Sequence, residues 1–205
     1  MPDKNVVKLQ FLAREKFREF FTDVDVIVRK PSMFRISPDI YSPDPDVAVG
    51  PLSIGRERFI DKYNTMAIKS KIFIEHCMKM HNENQETYGI SFDRQQEFKF
   101  FCDEKGYPTS INKNPRCFIA VEIENTGTSR KHLMGSAINA VALGRIGILV
   151  GYTDERVRMF LRCLKYLNFL KSVGKPGIDF ENGLVLSRKQ FIEALSLLDK
   201  SEKKS

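Results

Sequence analysis

The stretch CFIAVEIEN at residues 117–125, continued by TGTS (126–129), SRKHLMGSAINAVALG (129–144) and IGILVGY (146–152), decides how the chain is read. Within it Cys117, Ile119, Val121 and Ile123 alternate with Phe118, Ala120, Glu122 and Glu124, which is the two-residue period of a strand. Both sides are apolar for most of the length, so the strand is central. Its last two even positions put two carboxylates on one face at the end where a central strand opens onto a site. From Arg130 to Leu143 the pattern predicts a helix, with Gly144 read as the C′ residue that stops it. The apolar run at 146–152 is a second strand. Strand, helix and strand with short links make a βαβ unit, and the fold class is α/β.

Working toward the N-terminus, VVKLQFLAREKFREFF (6–21) sets Leu9, Leu12, Ala13, Phe17 and Phe20 on one side of an amphipathic helix. Short β-branched runs follow in DVDVIVRK (23–30), SMFRI (32–36) and DVAVG (46–50), with the Pro- and Asp-rich turn SPDIYSPDPD (37–46) before the last of them. Residues 56–84 lack Pro and, after Arg56, Gly, and predict one long helix, read as an insertion rather than a core element. In 85–116, YGISF (88–92) and EFKFF (97–101) are each compatible with a strand, and DEKGYPTSINKNPR (103–116) is rich in turn formers.

Toward the C-terminus, Thr153 or Asp154 can cap a helix over 155–173, on which Val157, Phe160, Leu161, Leu164 and Leu167 form the apolar side. Arg158, Arg162 and Lys165 follow one another at i, i+4, i+7 as a basic stripe. Asn182-Gly183 between GIDFE and LVLS suggests a hairpin, and Ser187 with Gln190 forms a capping box opening the last helix. The domain prediction is a single unit over 1–200 with an insertion at about 56–115, and a flexible tail at 201–205.

Composition narrows the function classes. The chain has 205 residues, 42% hydrophobic and 29% charged, which excludes disordered and low-complexity readings. No uninterrupted apolar stretch approaches the roughly 18 residues needed to span a bilayer, and the opening MPDKNVVKLQF lacks a signal-peptide core, so the expected address is cytoplasmic. Cys77, Cys102, Cys117 and Cys163 are too scattered for a zinc ribbon or a dithiol centre. His76 and His81 stand at i, i+5 and fall on different helix faces, which disfavours a metal site with Cys77. Thirty-three basic residues against 26 acidic ones give a net charge of +7, which permits a polyanionic partner. The Phe-rich composition reads as core, with Phe11, Phe17, Phe118 and Phe160 at core periodicity. Ser129 and His132 are not a hydrolase pair, because no nucleophile elbow surrounds the serine.

Two acidic features remain. Glu122 and Glu124 are costly to bury together unless a cation or donors compensate, unless the strand simply surfaces there and they pair with Arg130 and Lys131. The island Ser42-Pro43-Asp44-Pro45-Asp46 runs directly into Val47-Ala48-Val49, and a carboxylate at that entrance can face a neighbouring strand's Glu; taken alone, it is an ordinary Asx turn.

Pro45-Asp46, the triplet Glu122-Ile123-Glu124, the helix after it and the strand IGILVGY together resemble the PD-(D/E)xK nuclease superfamily over about residues 43–152, in motif order. The resemblance implies a restriction-endonuclease-like mixed sheet core flanked by helices, with a helical insertion. It implies Asp46 and Glu122 as ligands of Mg²⁺ (or Mn²⁺), and metal-dependent hydrolysis of nucleic-acid phosphodiesters, most naturally double-stranded DNA. The family's triplet ends in a lysine that assists the attacking water. Here Glu124 holds that position, and the nearest lysine, Lys131, opens the next helix. Asp46, Glu122, Glu124 and Lys131 are therefore the candidate catalytic residues, and Arg158, Arg162 and Lys165 the candidate phosphate contacts. The interval of 76 residues between Asp46 and Glu122 is long for the family and fits an insertion. A homodimer is compatible with this reading. The rival is a non-catalytic nucleic-acid-binding or protein-interaction domain that keeps the fold.

Overall fold

A computed structural model describes residues 4–24, 26–28, 44–53, 59–91, 112, 115–125, 129–175 and 180–201. Its helices are α1 (Lys4–Phe20), α2 (Ile60–Lys69), α3 (Lys71–Tyr88), α4 (Arg130–Leu143), α5 (Asp154–Ser172) and α6 (Arg188–Ser201). Its strands are β1 (Val26–Val28), β2 (Val47–Val49), β3 (Cys117–Glu124), β4 (Gly144–Gly151) and β5 (Gly183–Ser187). The strands form one mixed sheet in the order β1-β2-β3-β4-β5. β2 runs antiparallel to both its neighbours, β1 and β3, whereas β3, β4 and β5 run parallel. The α/β class and the βαβ unit of β3, α4 and β4 follow the alternation and the helical period read from the sequence. No described helix is long and apolar enough to cross a membrane.

Helices cover both faces of the sheet. On one face Ile119, Val121 and Ile123 of β3 join Ile146, Ile148 and Val150 of β4 in a cluster with Leu9, Ala13 and Phe17 of α1, Phe73 and Ile74 of α3, and Phe191 and Leu195 of α6. On the other face Leu149 of β4 and Val185 of β5 pack with Leu133, Ala137 and Ala140 of α4 and Val157, Phe160 and Leu164 of α5. All eight residues of β3 and of β4 are buried, as strands covered on both faces must be. The apolar side assigned to α5 is buried at all five positions. Thr153 caps that helix by accepting from the Arg156 amide. Ser187 and Gln190 close a reciprocal capping box at α6: the Gln190 amide donates to Ser187 Oγ, and the Ser187 amide to Gln190 Oε1.

Several expectations are corrected. The helix assigned to 56–84 is two helices meeting at Ser70, whose hydroxyl donates to the Met66 carbonyl. It is not an appendage, because α3 buries Phe73, Ile74, Cys77 and Met80 in the core, and Asn84 donates to the Val185 carbonyl of β5. His81 is fully buried and its Nδ1 accepts from the Val185 amide, so it is a structural side chain rather than half of a metal site with His76. YGISF does not begin a strand: Tyr88 ends α3, and Gly89 caps it at φ 60°. SMFRI and EFKFF lie outside the described residues.

Asn182-Gly183 does not turn a hairpin. Gly183 opens β5 after a tight turn closed by its amide donating to the Phe180 carbonyl, and the buried Asn182 side-chain amide donates to the Val141 and Gly144 carbonyls at the end of α4, a long-range satisfaction of orphan carbonyls. Gly144 is not a left-handed cap either. It is extended at φ −78°, ψ 143° as the first residue of β4, and a Cβ there would meet the Ala120 amide nitrogen at 2.9 Å. Phe11 and Leu12 sit outside the core on α1, with Phe11 48% exposed, while Val6 and Gln10 take inward places.

Candidate functional site

The sheet brings the two acidic features together. β2 pairs with β3 through Val47↔Val121, and continuing that antiparallel register by one residue sets Asp46 across from Glu122. Asp46 is only 2% exposed. Its Oδ2 accepts from the Ile123 amide at 2.7 Å and its Oδ1 from Gln10 Nε2 at 2.8 Å, so the carboxylate is held by the backbone of β3 on one side and by α1 on the other. Gln10 was not legible as a site residue, although one polar residue inside the stripe Val6, Gln10, Ala13, Phe17 is the signal that could have found it.

Glu122 and Glu124 are 6% and 8% exposed, so β3 does not simply surface at its end. Glu124 Oε1 accepts from Ser136 Oγ at 2.7 Å, and His132 Nε2 stands 3.2 Å from the same oxygen, an ion pair when the imidazole is protonated. Ser136 and His132 both belong to α4. The helix is capped by Ser129, whose Oγ accepts from the His132 amide, so the start of α4 is fixed where it meets the end of β3. Ser129, His132 and Ser136 recur at i, i+3, i+7 as a polar stripe on α4, a signal that periodicity alone carries.

These groups surround an open cavity of about 650 Å³ lined by Asp46, Glu122, Glu124, Lys131, His132 and Ser136, among others. Asp44 adds a fourth carboxylate to the lining. All four candidate catalytic residues are thus brought together. Lys131 is exposed, and among the described residues neither Arg130 nor Lys131 is paired with a carboxylate. The alternative in which those two cations neutralise the glutamates is therefore not what forms.

Arg158, Arg162 and Lys165 are exposed on α5. Arg158 lies over the Tyr88 ring with its guanidinium carbon 5.2 Å from the centroid, and Arg162 touches the Met159 sulfur at 3.9 Å. Arg158 and Arg162 line a second, smaller cavity and Lys165 is not part of its lining, so the stripe is not one continuous contact surface.

The donor set suits a hard divalent cation. Mg²⁺ prefers oxygen ligands and commonly takes only one or two carboxylates, completing its shell with water and substrate phosphate. Asp46 and Glu122, facing each other across two strands, supply that number. Among the described residues no group of three or more His, Cys, Asp and Glu side chains is spaced to hold an ion together. Cys77, Cys117 and Cys163 are buried, free and outside the cavity.

Comparison with known protein families, with curated proteins and with solved structures finds no match.

Proposed function

We propose that the chain is a metal-dependent nuclease of restriction-endonuclease-like architecture, acting on nucleic-acid phosphodiesters, with double-stranded DNA as the favoured substrate and the cytoplasm as its address. One observation carries the reading: three buried carboxylates, Asp46, Glu122 and Glu124, converge on one open cavity where a mixed sheet meets the start of a helix. Burying several like charges costs several kcal/mol in total unless a cation or donors compensate. The Gln10 side chain and the Ile123 amide orient Asp46, and Ser136 orients Glu124.

Asp46 and Glu122 would hold Mg²⁺ or Mn²⁺, which when bound polarises the scissile phosphate and lowers the pKa of the attacking water. The chain's own residues supply the rest. The Ile123 amide and Gln10 lock the Asp46 rotamer, so one carboxylate is preorganised by groups that do not move with substrate. Ser136 and His132 hold Glu124 against α4, where it faces the cavity and can orient a water. Lys131, on the cavity rim, offers the mobile ammonium that Glu124 cannot. With the cavity otherwise acidic, a bound cation would also relieve repulsion of the substrate's phosphates.

One observation favours a non-catalytic reading, in which the fold is kept for binding alone: both Asp46 oxygens already accept hydrogen bonds. Thermal unfolding with and without Mn²⁺ or Mg²⁺, for the wild type and Glu122→Gln, separates the two. A ligand at a hundred times its Kd adds about 2.7 kcal/mol, which for a chain of this size is a rise of roughly 5–11 °C. The nuclease reading expects that rise in the wild type, little of it in Glu122→Gln, and cleavage of duplex DNA only by the wild type. No metal-dependent rise and no cleavage by either protein supports the binding-only reading.

A further inference from the structure

A second cavity, of about 380 Å³, adjoins the acidic one, with Ser129 contributing to the walls of both. Arg130 enters it from the start of α4, and Arg156, Arg158 and Arg162 enter it from the first half of α5. Among the described residues Glu155 is the carboxylate in the lining, beside the exposed Arg130, Arg158 and Arg162 and the buried Arg156. Among the described residues none of Arg130, Arg158 and Arg162 is ion-paired, and Arg156 is more than nine-tenths buried at the pocket wall.

Such an arrangement is unfavourable for the fold by itself. Like charges gathered in a concave site repel one another, and their field is focused by the low-dielectric wall behind them. Arg158 lies over the Tyr88 ring, and among the described residues its guanidinium N–H groups make no hydrogen bond, so they remain to match a phosphate bidentately. The position matters as much as the charge, because the pocket begins where the acidic cavity ends.

We propose that this four-arginine pocket is a phosphate subsite for a nucleic-acid strand, holding a phosphate next to the one presented to Asp46 and Glu122. The assignment rests on the nuclease reading for the neighbouring cavity. The acidic cavity and the basic pocket then read successive phosphates of one strand, the first through a cation and the second directly. The stripe read from the sequence is redrawn: Arg130 and Arg156 join Arg158 and Arg162, and Lys165 leaves. The phosphate can be internal to the strand or a 5′-terminal monoester, which share the chemistry that four guanidinium groups recognise.

The test measures binding by the full chain in EDTA, by fluorescence anisotropy with a labelled duplex carrying either a 5′-phosphate or a 5′-hydroxyl, across a salt series. Arg130 is the decisive residue, since it comes from a different helix than the stripe. Each of Arg130→Ala and Arg162→Ala should lower the slope of log K against log salt by about 0.9, and the double variant by about 1.8, which is roughly a 60-fold loss at 0.1 M salt. Both side chains are exposed, so the fold is expected to survive, and circular dichroism verifies it. A loss seen with both duplexes assigns an internal phosphate, and a loss confined to the 5′-phosphorylated duplex assigns a terminal one. An unchanged slope in Arg130→Ala alongside a reduced one in Lys165→Ala overturns the pocket and restores a linear stripe on α5. Unchanged slopes in all three variants overturn it as well. Cleavage assays with Mg²⁺, run beside them on the wild type and Glu122→Gln, keep the failures distinct: if the wild type cleaves no DNA, the nuclease reading falls, and if both cleave equally, Glu122 is not a ligand, while in either case the slopes still decide the pocket.

Discussion

Removing the Asp46 side chain and removing only its charge should have separable consequences. In Asp46→Ala, the buried Ile123 amide and the Gln10 amide lose an ionised acceptor they reach at 2.7 and 2.8 Å. Hydrogen bonds to charged groups contribute about 1.5–3 kcal/mol each, and a buried N–H left without an acceptor costs a further share of its desolvation. Part of this is returned, because a desolvated carboxylate is itself unfavourable. A net loss of about 2–4 kcal/mol is expected, a fall in Tm of roughly 4–16 °C for a chain of 205 residues. Asp46→Asn behaves differently. Its Oδ1 can still accept from the Ile123 amide, and its new NH₂ can donate to Gln10 once the Gln10 amide turns over, so both contacts survive and the loss should stay below about 1 kcal/mol. Both variants should nevertheless lose the Tm rise produced by Mn²⁺ and lose cleavage. Differential scanning fluorimetry with and without the metal reads both quantities. If Asp46→Asn is as unstable as Asp46→Ala, the hydrogen-bond account fails; if it keeps the full response to Mn²⁺, Asp46 is not a ligand.

Further outcomes follow from the same geometry. Lys131→Ala should slow cleavage by about 10²–10⁴-fold, the usual contribution of a positioned proton-transfer group, while the Tm response to Mn²⁺ is retained; Lys131→Arg should restore it only in part, and wild-type speed in Lys131→Ala combined with failure of Glu124→Ala would make Glu124 the working group. Burial pushes the Cys163 thiol up to about 11 and raises Cys77 and Cys117 further, so these three should label slowly with a thiol reagent in the native protein at pH 8 and quickly in denaturant. The sign for stability is set by the raised folded-state value: the unfolded chain releases these protons first, so their contribution is whole below about pH 8.5 and declines as pH rises toward 11. Denaturant midpoints measured from pH 8 to 11 check it, and Cys163→Ser should flatten the decline.

Much of this architecture is written locally. The alternation at 117–124 and the apolar positions of α5 are each enforced by burial on two sides or on one, so period alone reveals them. Asp46 and Glu122 were legible as a pair because an acid at the mouth of one apolar strand and an acid near the end of another have few other places to meet. What escaped notice depends on partners distant in the chain. Asn182 resembles a hairpin residue until the carbonyls of Val141 and Gly144, some forty positions away, claim its amide. Gly144 resembles a helix stop, yet what excludes a Cβ there is the carbonyl of Ile146 in its own strand and, across the sheet, the backbone of Ala120. The α2–α3 pair reads as peripheral because polar residues such as His81 and Asn84 interrupt its buried side; they are buried because β5 and α6 offer them partners more than a hundred residues away. The pocket of arginines was half visible, since the α5 stripe has a period and the contribution of Arg130 has none.

The packing of α1 against α6 carries a consequence for how the chain is made. Lys16 of α1 reaches Asp199 of α6 at 3.0 Å, and both helices bury their apolar sides in the same cluster. On a ribosome the first of these helices emerges nearly two hundred residues before the second. During that interval Val6, Leu9, Ala13 and Phe17 lack the residues of α6 that complete their surroundings, Phe191, Ala194, Leu195 and Leu198. The face of the sheet bearing α4 and α5 can close earlier, since those helices and β3 and β4 leave the exit tunnel in succession, apart from the contribution of β5. The nascent protein therefore passes through a stage with one face of its sheet dressed and the other incomplete, and holdase chaperones would find their binding surface on the α1 side until α6 has emerged.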